Sequence, residues 1–245
     1  MNNIEKLKHW VGKSNNIVVF TGAGVSAESG IPTYRGKGGY WNKYDPDKYA
    51  NINYFHQDPS YYWNFFKDVR SPVLKKAKPN TAHRSIVKLE NSGRVRSIIT
   101  QNIDGLHKEA GSKNILELHG NTRMFSCLKC KFEFNFHQIN DLLEKSLPPE
   151  CTECGGLIRP NVILFGEPLD PVILSKADRD SSSADLFIAA GSSLVVQPAA
   201  SLPLTAKENG AKLVIINLDP TPLDAMADLV ININVSEAFF KIIQD

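Results

Sequence analysis

Ile17-Val18-Val19-Phe20-Thr21-Gly22-Ala23-Gly24-Val25-Ser26-Ala27 is the stretch on which the fold turns. Its first residues form a short, uninterrupted apolar run, the pattern of a strand buried on both faces. The run ends in Gly-x-Gly-x-x-Ala, with Gly22, Gly24 and Ala27 at the key positions. At a strand end, the backbone amides of such a turn can hold a pyrophosphate. Alone, the glycines fit a simple tight turn equally well. A standard dinucleotide-binding unit continues with a full helix and a strand carrying an acidic residue about 20 positions on. This chain instead reads Glu28-Ser29-Gly30-Ile31-Pro32-Thr33-Tyr34-Arg35-Gly36, which stops a helix early. Asp45 and Asp47 lie near the right distance but flank Pro46 in a turn. The first half fits a dinucleotide, and the second half does not fit a hydride-transfer dehydrogenase.

Outward from this stretch, residues 3–13 place Ile4, Leu7 and Val11 on one helical face. Pro79-Asn80-Thr81 opens a second helix that runs through Ile86 and Leu89 to Gly93, with a strand at Val95 to Thr100. Further apolar runs at 115–118, 162–165, 185–190, 213–216 and 228–233 read as strands, and 171–182 and 198–209 have helical length. Strands rich in Val and Ile alternating with helices predict an α/β fold with a parallel sheet covered on both faces. Two regions break the alternation. Residues 36–70 are crowded with aromatic side chains, and 123–159 hold all four cysteines. The expected organisation is one domain from 1–35, 71–122 and 160–245, with a second, smaller lobe from 36–70 and 123–159.

The chain has 245 residues, 28 Lys plus Arg against 26 Asp plus Glu, and a formal net charge of +2. The 42% hydrophobic content supports a packed core and excludes a disordered chain. The near-neutral balance argues against direct nucleic-acid binding, which needs a basic face to displace counterions. The polar start and the absence of an apolar run of membrane-spanning length point to no export signal and no membrane span. A soluble cytoplasmic protein, monomeric by default, is the expectation.

Cys127 and Cys130 enclose two residues, as do Cys151 and Cys154, with twenty residues between the pairs. Two Cys-x-x-Cys turns can aim four thiolates at one zinc ion, which leaves no open coordination position. The ion is therefore expected to be structural. A redox dithiol would need only one such pair.

Polar groups follow several predicted strands. Gln101-Asn102-Ile103-Asp104-Gly105 follows the second strand, His119-Gly120 follows Leu116 to Leu118, Gly191-Ser192-Ser193 follows 185–190, and Asn217 follows 213–216. Ligands of open α/β sheets collect at such ends, although each group alone could be a cap or turn. Of the six histidines, His119 alone ends a buried run in this region, so it is the candidate general base. His107, beside a helix end, reads as a hydrogen-bonded structural histidine.

Together, Gly22-Ala-Gly-Val-Ser-Ala-Glu-Ser-Gly-Ile-Pro, Gln101-Asn-Ile-Asp, His119-Gly, the two cysteine pairs, Val162-Ile-Leu-Phe-Gly-Glu167, Gly191-Ser-Ser-Leu-Val and Asn217 closely resemble the sirtuin family of NAD-dependent protein deacylases. The resemblance runs from about Ile17 to the C-terminus and implies a Rossmann-like parallel sheet with a smaller zinc-binding lobe. It explains the interrupted helix, because the matching segment in sirtuins begins a mobile cofactor-binding loop. It implies NAD contacts at Gly22, Ala23, Gly24, Ala27, Tyr34, Arg35, Gln101, Gly191, Ser192, Ser193, Asn217 and Val235. Ile103 and Asp104 would line the nicotinamide pocket, and Asn102 would lie by its ribose. Val162, Phe165, Gly166 and Glu167 would flank an acyl-lysine tunnel and pair with an extended substrate peptide.

The implied reaction consumes NAD. The acyl carbonyl oxygen attacks C1′ of the nicotinamide ribose, nicotinamide leaves, and His119 acts as general base on the ribose hydroxyls. Water then releases free lysine and O-acyl-ADP-ribose. Two other readings stand beside it: a mono-ADP-ribosyltransferase on the same scaffold and a non-catalytic NAD-sensing module. The family commonly has Asp-Phe-Arg or Thr-Phe-Arg where this chain has Thr33-Tyr34-Arg35. The desuccinylase subgroup holds an acidic acyl tail with a Tyr-x-x-Arg pair. Here Phe66 and Val69 stand at the matching positions, so neutral acyl groups, acetyl and longer, are the expectation.

Overall fold

The computed structural model describes residues 2–244. Among the described residues, nine strands form two sheets: β1 (Ile17–Thr21), β2 (Val95–Thr100), β3 (Ile115–Glu117), β4 (Gly120–Cys127), β5 (Glu133–Asn135), β6 (Ile158–Val162), β7 (Leu186–Ala190), β8 (Lys212–Ile216) and β9 (Leu229–Ile231). The larger sheet has six parallel strands in the order β3-β2-β1-β7-β8-β9. The chain winds outward from β1 to one side, then returns to β7 and winds to the other. This is the doubly wound Rossmann-type order, with its topological switch point between β1 and β7.

Alternation along β1 builds both faces. Ile17 and Val19 pack with Leu7, Ile86 and Phe239 on one side. Val18 and Phe20 pack with Phe187, Leu202 and Leu213 on the other. These four apolar residues of β1 are fully buried, each contributing about 1.5–3 kcal/mol of apolar burial. Asn80 caps the helix Thr81–Asn91, accepting from the N–H of His83, as the Pro-Asn-Thr signal implied.

The smaller sheet is antiparallel, in the order β5-β4-β6. It packs with helical residues Trp63, Phe66 and Ile139 around Phe125, and Cys127 and Cys151 belong to the same core. The aromatic segment is largely helical, with helices Pro46–Tyr49, Ile52–Gln57, Ser60–Phe65 and Ser71–Lys76. Phe66–Arg70 forms a wider π-type turn between the last two.

One expected strand is corrected. Residues 162–165 do not join the parallel sheet; β6 ends at Val162 and pairs antiparallel with β4. Ile158, Pro160 and Val162 are buried while Arg159 and Asn161 are not, the alternation of a strand with one buried face. Beyond it, the Phe165 N–H donates to Ala50 O at 2.8 Å, and the Ile52 N–H donates to Phe165 O at 3.0 Å. Among the described residues, no helix is long and apolar enough to cross a membrane.

Candidate functional site

The glycine turn after β1 meets the turn after β7 at the switch point. The Gly24 N–H donates to Gly191 O at 2.8 Å. A Cβ on Gly24 would lie 2.7 Å from Gly191 Cα, a distance no side chain tolerates. The glycines therefore let two backbone turns close on each other, and both turns still face a cleft of about 580 Å³. That volume lies in the range of cofactor-binding clefts.

The 22–30 segment is a short 3-10 helix, Ala23–Ser29, ended by Gly30 at φ +81°. This is the early stop implied by Ser29-Gly30-Ile31-Pro32. The chain then turns across the cleft, where Tyr34 packs on Trp41 with ring centroids 5.1 Å apart.

The cleft gathers nearly every residue singled out from sequence. Gly22, Ala23, Gly24, Ala27, Tyr34, Arg35, Gln101, Asn102, Ile103, His119, Gly191, Ser192, Ser193, Asn217 and Val235 line it, together with Val162, Phe165, Gly166 and Glu167. The Gln101 amide donates to Ser192 Oγ at 2.7 Å, joining the turns after β2 and β7. The Asn102 side chain donates to Gly22 O at 3.0 Å and to Ser26 Oγ at 3.2 Å.

Asp104 does not join the cleft lining. It is buried, accepting from Ser26 Oγ at 2.7 Å and from the Leu106 N–H at 2.8 Å. Its carboxylate is consumed in fixing the turn beneath Asn102. Glu167 lines the cleft, but its carboxylate is also committed. Arg159 donates to both its oxygens at 2.8 Å, and the Leu164 N–H donates at 2.8 Å. Burial alone would raise the Glu167 pKa, and these donors outweigh it and hold the carboxyl below the usual range. The Phe165 backbone is likewise engaged with residues 50–52, which leaves exposed Gly166, φ +91°, at the rim.

His119 sits just past β3, partly buried, with Nδ1 3.1 Å from Gln101 O. A carbonyl oxygen only accepts, so Nδ1 carries the proton and Nε2 keeps its lone pair. Burial pulls the His119 pKa below the ordinary histidine value, against the opposing effect of the Gln101 hydrogen bond. The imidazole is therefore neutral at pH 7 and equipped to accept a proton. Gly120, at φ +69°, makes the next turn possible: a Cβ there would fall 2.1 Å from Asn161 O.

Sequence reasoning missed Tyr62 and Arg70 in the cleft wall. Arg70 is 8% exposed, with its guanidinium 5.7 Å from the Tyr34 ring centroid. Among the described residues, no carboxylate pairs with Arg70, and the buried Tyr62 Oη has no hydrogen-bond partner. Phe66, aligned from sequence with an acyl-binding position, is instead fully buried against Phe125, and Val69 is absent from the cleft lining. The extra residue in the π-type turn rotates Arg70, not Val69, into the cleft wall. No periodicity in the sequence signals that turn.

Away from the cleft, the Sγ atoms of Cys127, Cys130, Cys151 and Cys154 lie within 4.8 Å of one another. Cys127 and Cys154 are 3.5 Å apart, and Cys130 and Cys151 are 3.6 Å apart. A zinc–sulfur bond of about 2.3 Å sets tetrahedral sulfur separations of roughly 3.8 Å, whereas a disulfide needs about 2.05 Å. The four thiols thus fit one zinc ion. The Cys130 N–H donates to Cys127 Sγ, and with the Lys129 N–H it outweighs burial and lowers that thiol's pKa to about 6.

Fold and site define a doubly wound nucleotide-binding protein with an attached four-cysteine metal lobe. The Sir2 family profile matches residues 22–198, and the chain belongs to that family. It is 49% identical over 225 residues to an NAD-dependent protein deacetylase of Sulfurisphaera tokodaii, covering 91% of this chain and 88% of that one. Among solved structures, it resembles a Sir2–peptide–NAD+ complex with TM-score 0.91 and 41% identity, over 99% of this chain and 97% of that one. A Sir2 bound to a propionylated peptide matches with TM-score 0.90 and 39% identity, over 98% and 97% of the two chains.

Proposed function

We propose that this protein is an NAD-dependent protein-lysine deacylase that removes acetyl and longer neutral acyl groups and releases nicotinamide and O-acyl-ADP-ribose. The single observation that carries the reading is the placement of His119, its Nδ1 against the Gln101 carbonyl, in the same cleft as the Gly22–Ala27 turn, Gln101, Asn102 and the Ser192-Ser193 turn. When bound, NAD supplies an electrophilic ribose carbon with nicotinamide as leaving group. The residues named from the resemblance fit it: the glycine and serine turns, Asn217 and Val235 all line the cleft. Asp104 supports the nicotinamide side from beneath by orienting Ser26 and, through it, Asn102.

His119 takes a proton from a ribose hydroxyl, and the Gln101 carbonyl holds its ring in the base-competent tautomer. Tyr34, Trp41 and Phe65 form an aromatic wall that excludes water. Zinc, held by the four cysteines, stiffens the lobe that carries this wall and takes no part in the chemistry. The lobes proposed for this action are 1–35, 71–122 and 160–245 against 36–70 and 123–159, and the cytoplasm, where thiols stay reduced, is the proposed place of action. The relatives with NAD+ and acylated peptide support deacylation over protein ADP-ribosylation or NAD sensing.

One observation widens the acyl range expected from sequence. Arg70, in the cleft wall, is a buried cation without an acidic partner among the described residues, and Tyr62, which lines the same cleft, has an unpaired hydroxyl. A carboxylate at the end of an acyl chain would satisfy both, so acidic acyl groups join the neutral ones as substrates.

His119→Ala tests the base assignment. Peptide deacylation should fall by about 10²–10⁴-fold while NAD still binds. In the unaltered protein, the acid limb of kcat/KM should lie below the ordinary histidine range, because activity is lost only as pH falls through the lowered pKa. Turnover that survives the substitution would refute the assignment.

A further inference from the structure

Behind the cleft, three buried side chains form a hydrogen-bonded line that the reaction itself does not use. His107 Nε2 lies 3.0 Å from Thr21 Oγ1, and Thr21 Oγ1 donates to Thr100 Oγ1 at 2.8 Å. With the Thr21 hydroxyl donating to Thr100, its oxygen accepts from His107 in the Nε2–H tautomer. Burial lowers the His107 pKa to about 3, so this ring stays neutral. Thr21, Thr100 and His107 are all at most 2% exposed.

The line ends on one peptide group. The Asn102 N–H donates to Thr100 Oγ1 at 3.0 Å. The carbonyl of that same peptide is Gln101 O, which accepts from His119 Nδ1. The peptide plane is therefore clamped from behind by Thr100 and holds His119 in front. Thr21 and Thr100 are register partners on adjacent strands, so the clamp stands on the rigid centre of the sheet.

We propose that His107, Thr21 and Thr100 are positioning residues that set the orientation and tautomer of His119 through the Gln101–Asn102 peptide. The polarity decides between positioning and proton conduction. Thr21 and the Asn102 N–H both donate into Thr100 Oγ1, and the line ends on a peptide N–H, which has no lone pair to take up a proton. What the line supplies is geometry. With Thr100 Oγ1 gone, the Asn102 N–H loses its acceptor, the peptide is released to rotate, and the carbonyl no longer selects Nδ1–H.

The inference rests on His119 as the base, and the test separates the two. Thr100→Val keeps the shape and removes the acceptor; Thr100→Ser restores it. Steady-state kinetics with NAD and an acetyl-lysine peptide should show kcat lowered by about ten- to a hundredfold in Thr100→Val, with both KM values within about twofold. Thr100→Ser should recover most of the loss. Nitrogen-15 NMR of the imidazole should show His119 as the Nδ1–H tautomer in the unaltered protein and a mixture in Thr100→Val. His107→Leu, which removes the donor, should move kcat and the tautomer the same way, and His107→Gln should restore them. This pair carries the test if Thr100→Val does not fold. If His119→Ala is inactive while Thr100→Val or His107→Leu keeps kcat within about twofold and an unmixed tautomer, the positioning proposal is overturned and the base assignment stands. If His119→Ala turns over normally, the base assignment fails first.

Discussion

Replacing Arg70 with methionine separates a ligand-binding arginine from a structural one, because the two roles predict opposite signs. In the protein without ligand, Arg70 is 8% exposed and has no carboxylate among the described residues to offset its desolvation. Methionine fills a similar volume without a buried charge, and even buried ion pairs are often exchanged for apolar side chains at no cost or with a gain of about 1–4 kcal/mol. Urea unfolding of Arg70→Met should therefore show an unchanged or higher midpoint. Activity should respond to the acyl group. A charge-assisted hydrogen bond to a succinyl carboxylate is worth about 1.5–3 kcal/mol, roughly ten- to 150-fold in kcat/KM. The assay compares succinyl-, acetyl- and propionyl-lysine versions of one peptide, with Tyr62→Phe in parallel. Arg70→Met should lower the succinyl-to-acetyl ratio by that factor while the acetyl rate moves little. Tyr62→Phe should lower the ratio several-fold. An unchanged ratio with a stability loss above about 1 kcal/mol would refute the reasoning, since Arg70 would then be serving the packing around Tyr34.

Other consequences follow from the metal lobe and the cleft rim. Cys127→Ser removes one of four ligands from a lobe whose core includes Cys127 and Cys151, so zinc content and melting temperature should both fall and activity with them. Unchanged zinc content and stability would remove the structural-zinc claim. Arg159→Leu leaves the Glu167 carboxylate, 17% exposed, without its paired cation and should cost about 2–3 kcal/mol at pH 7. Because the Glu167 pKa is lowered by folding, its contribution is present above the unfolded carboxyl value and disappears as pH falls through the folded one. Unfolding at pH 7 and in acid should show that penalty shrinking, and a pH-independent penalty would contradict the ion-pair account.

Much of this was legible because a parallel sheet states itself simply. Ile17 to Phe20 reads as a strand buried on both faces, and polar residues directly after such strands fall at one edge. That places Gln101, Asn102, His119, Ser192, Ser193 and Asn217 together without any knowledge of side-chain positions. The spacing of the cysteine pairs carried the metal site in the same way. The rest was hidden where periodicity carries no information about partners. Val162 to Phe165 is apolar enough for a central strand, yet the true strand begins at Ile158 and buries only alternate residues. Asp104 sits in the right motif but turns inward to Ser26 and Leu106. Arg70 reaches the cleft through a one-turn widening of a helix, and Thr21, Thr100 and His107 meet across two strands and a helix from three separate parts of the sequence.

The most direct test of the central claim is the stoichiometry of the reaction with NAD and an acetyl-lysine peptide. The account predicts that nicotinamide, deacetylated peptide and O-acetyl-ADP-ribose appear in equal amounts, each dependent on the peptide. Nicotinamide release without the peptide, with the ADP-ribose label retained on protein, would contradict it.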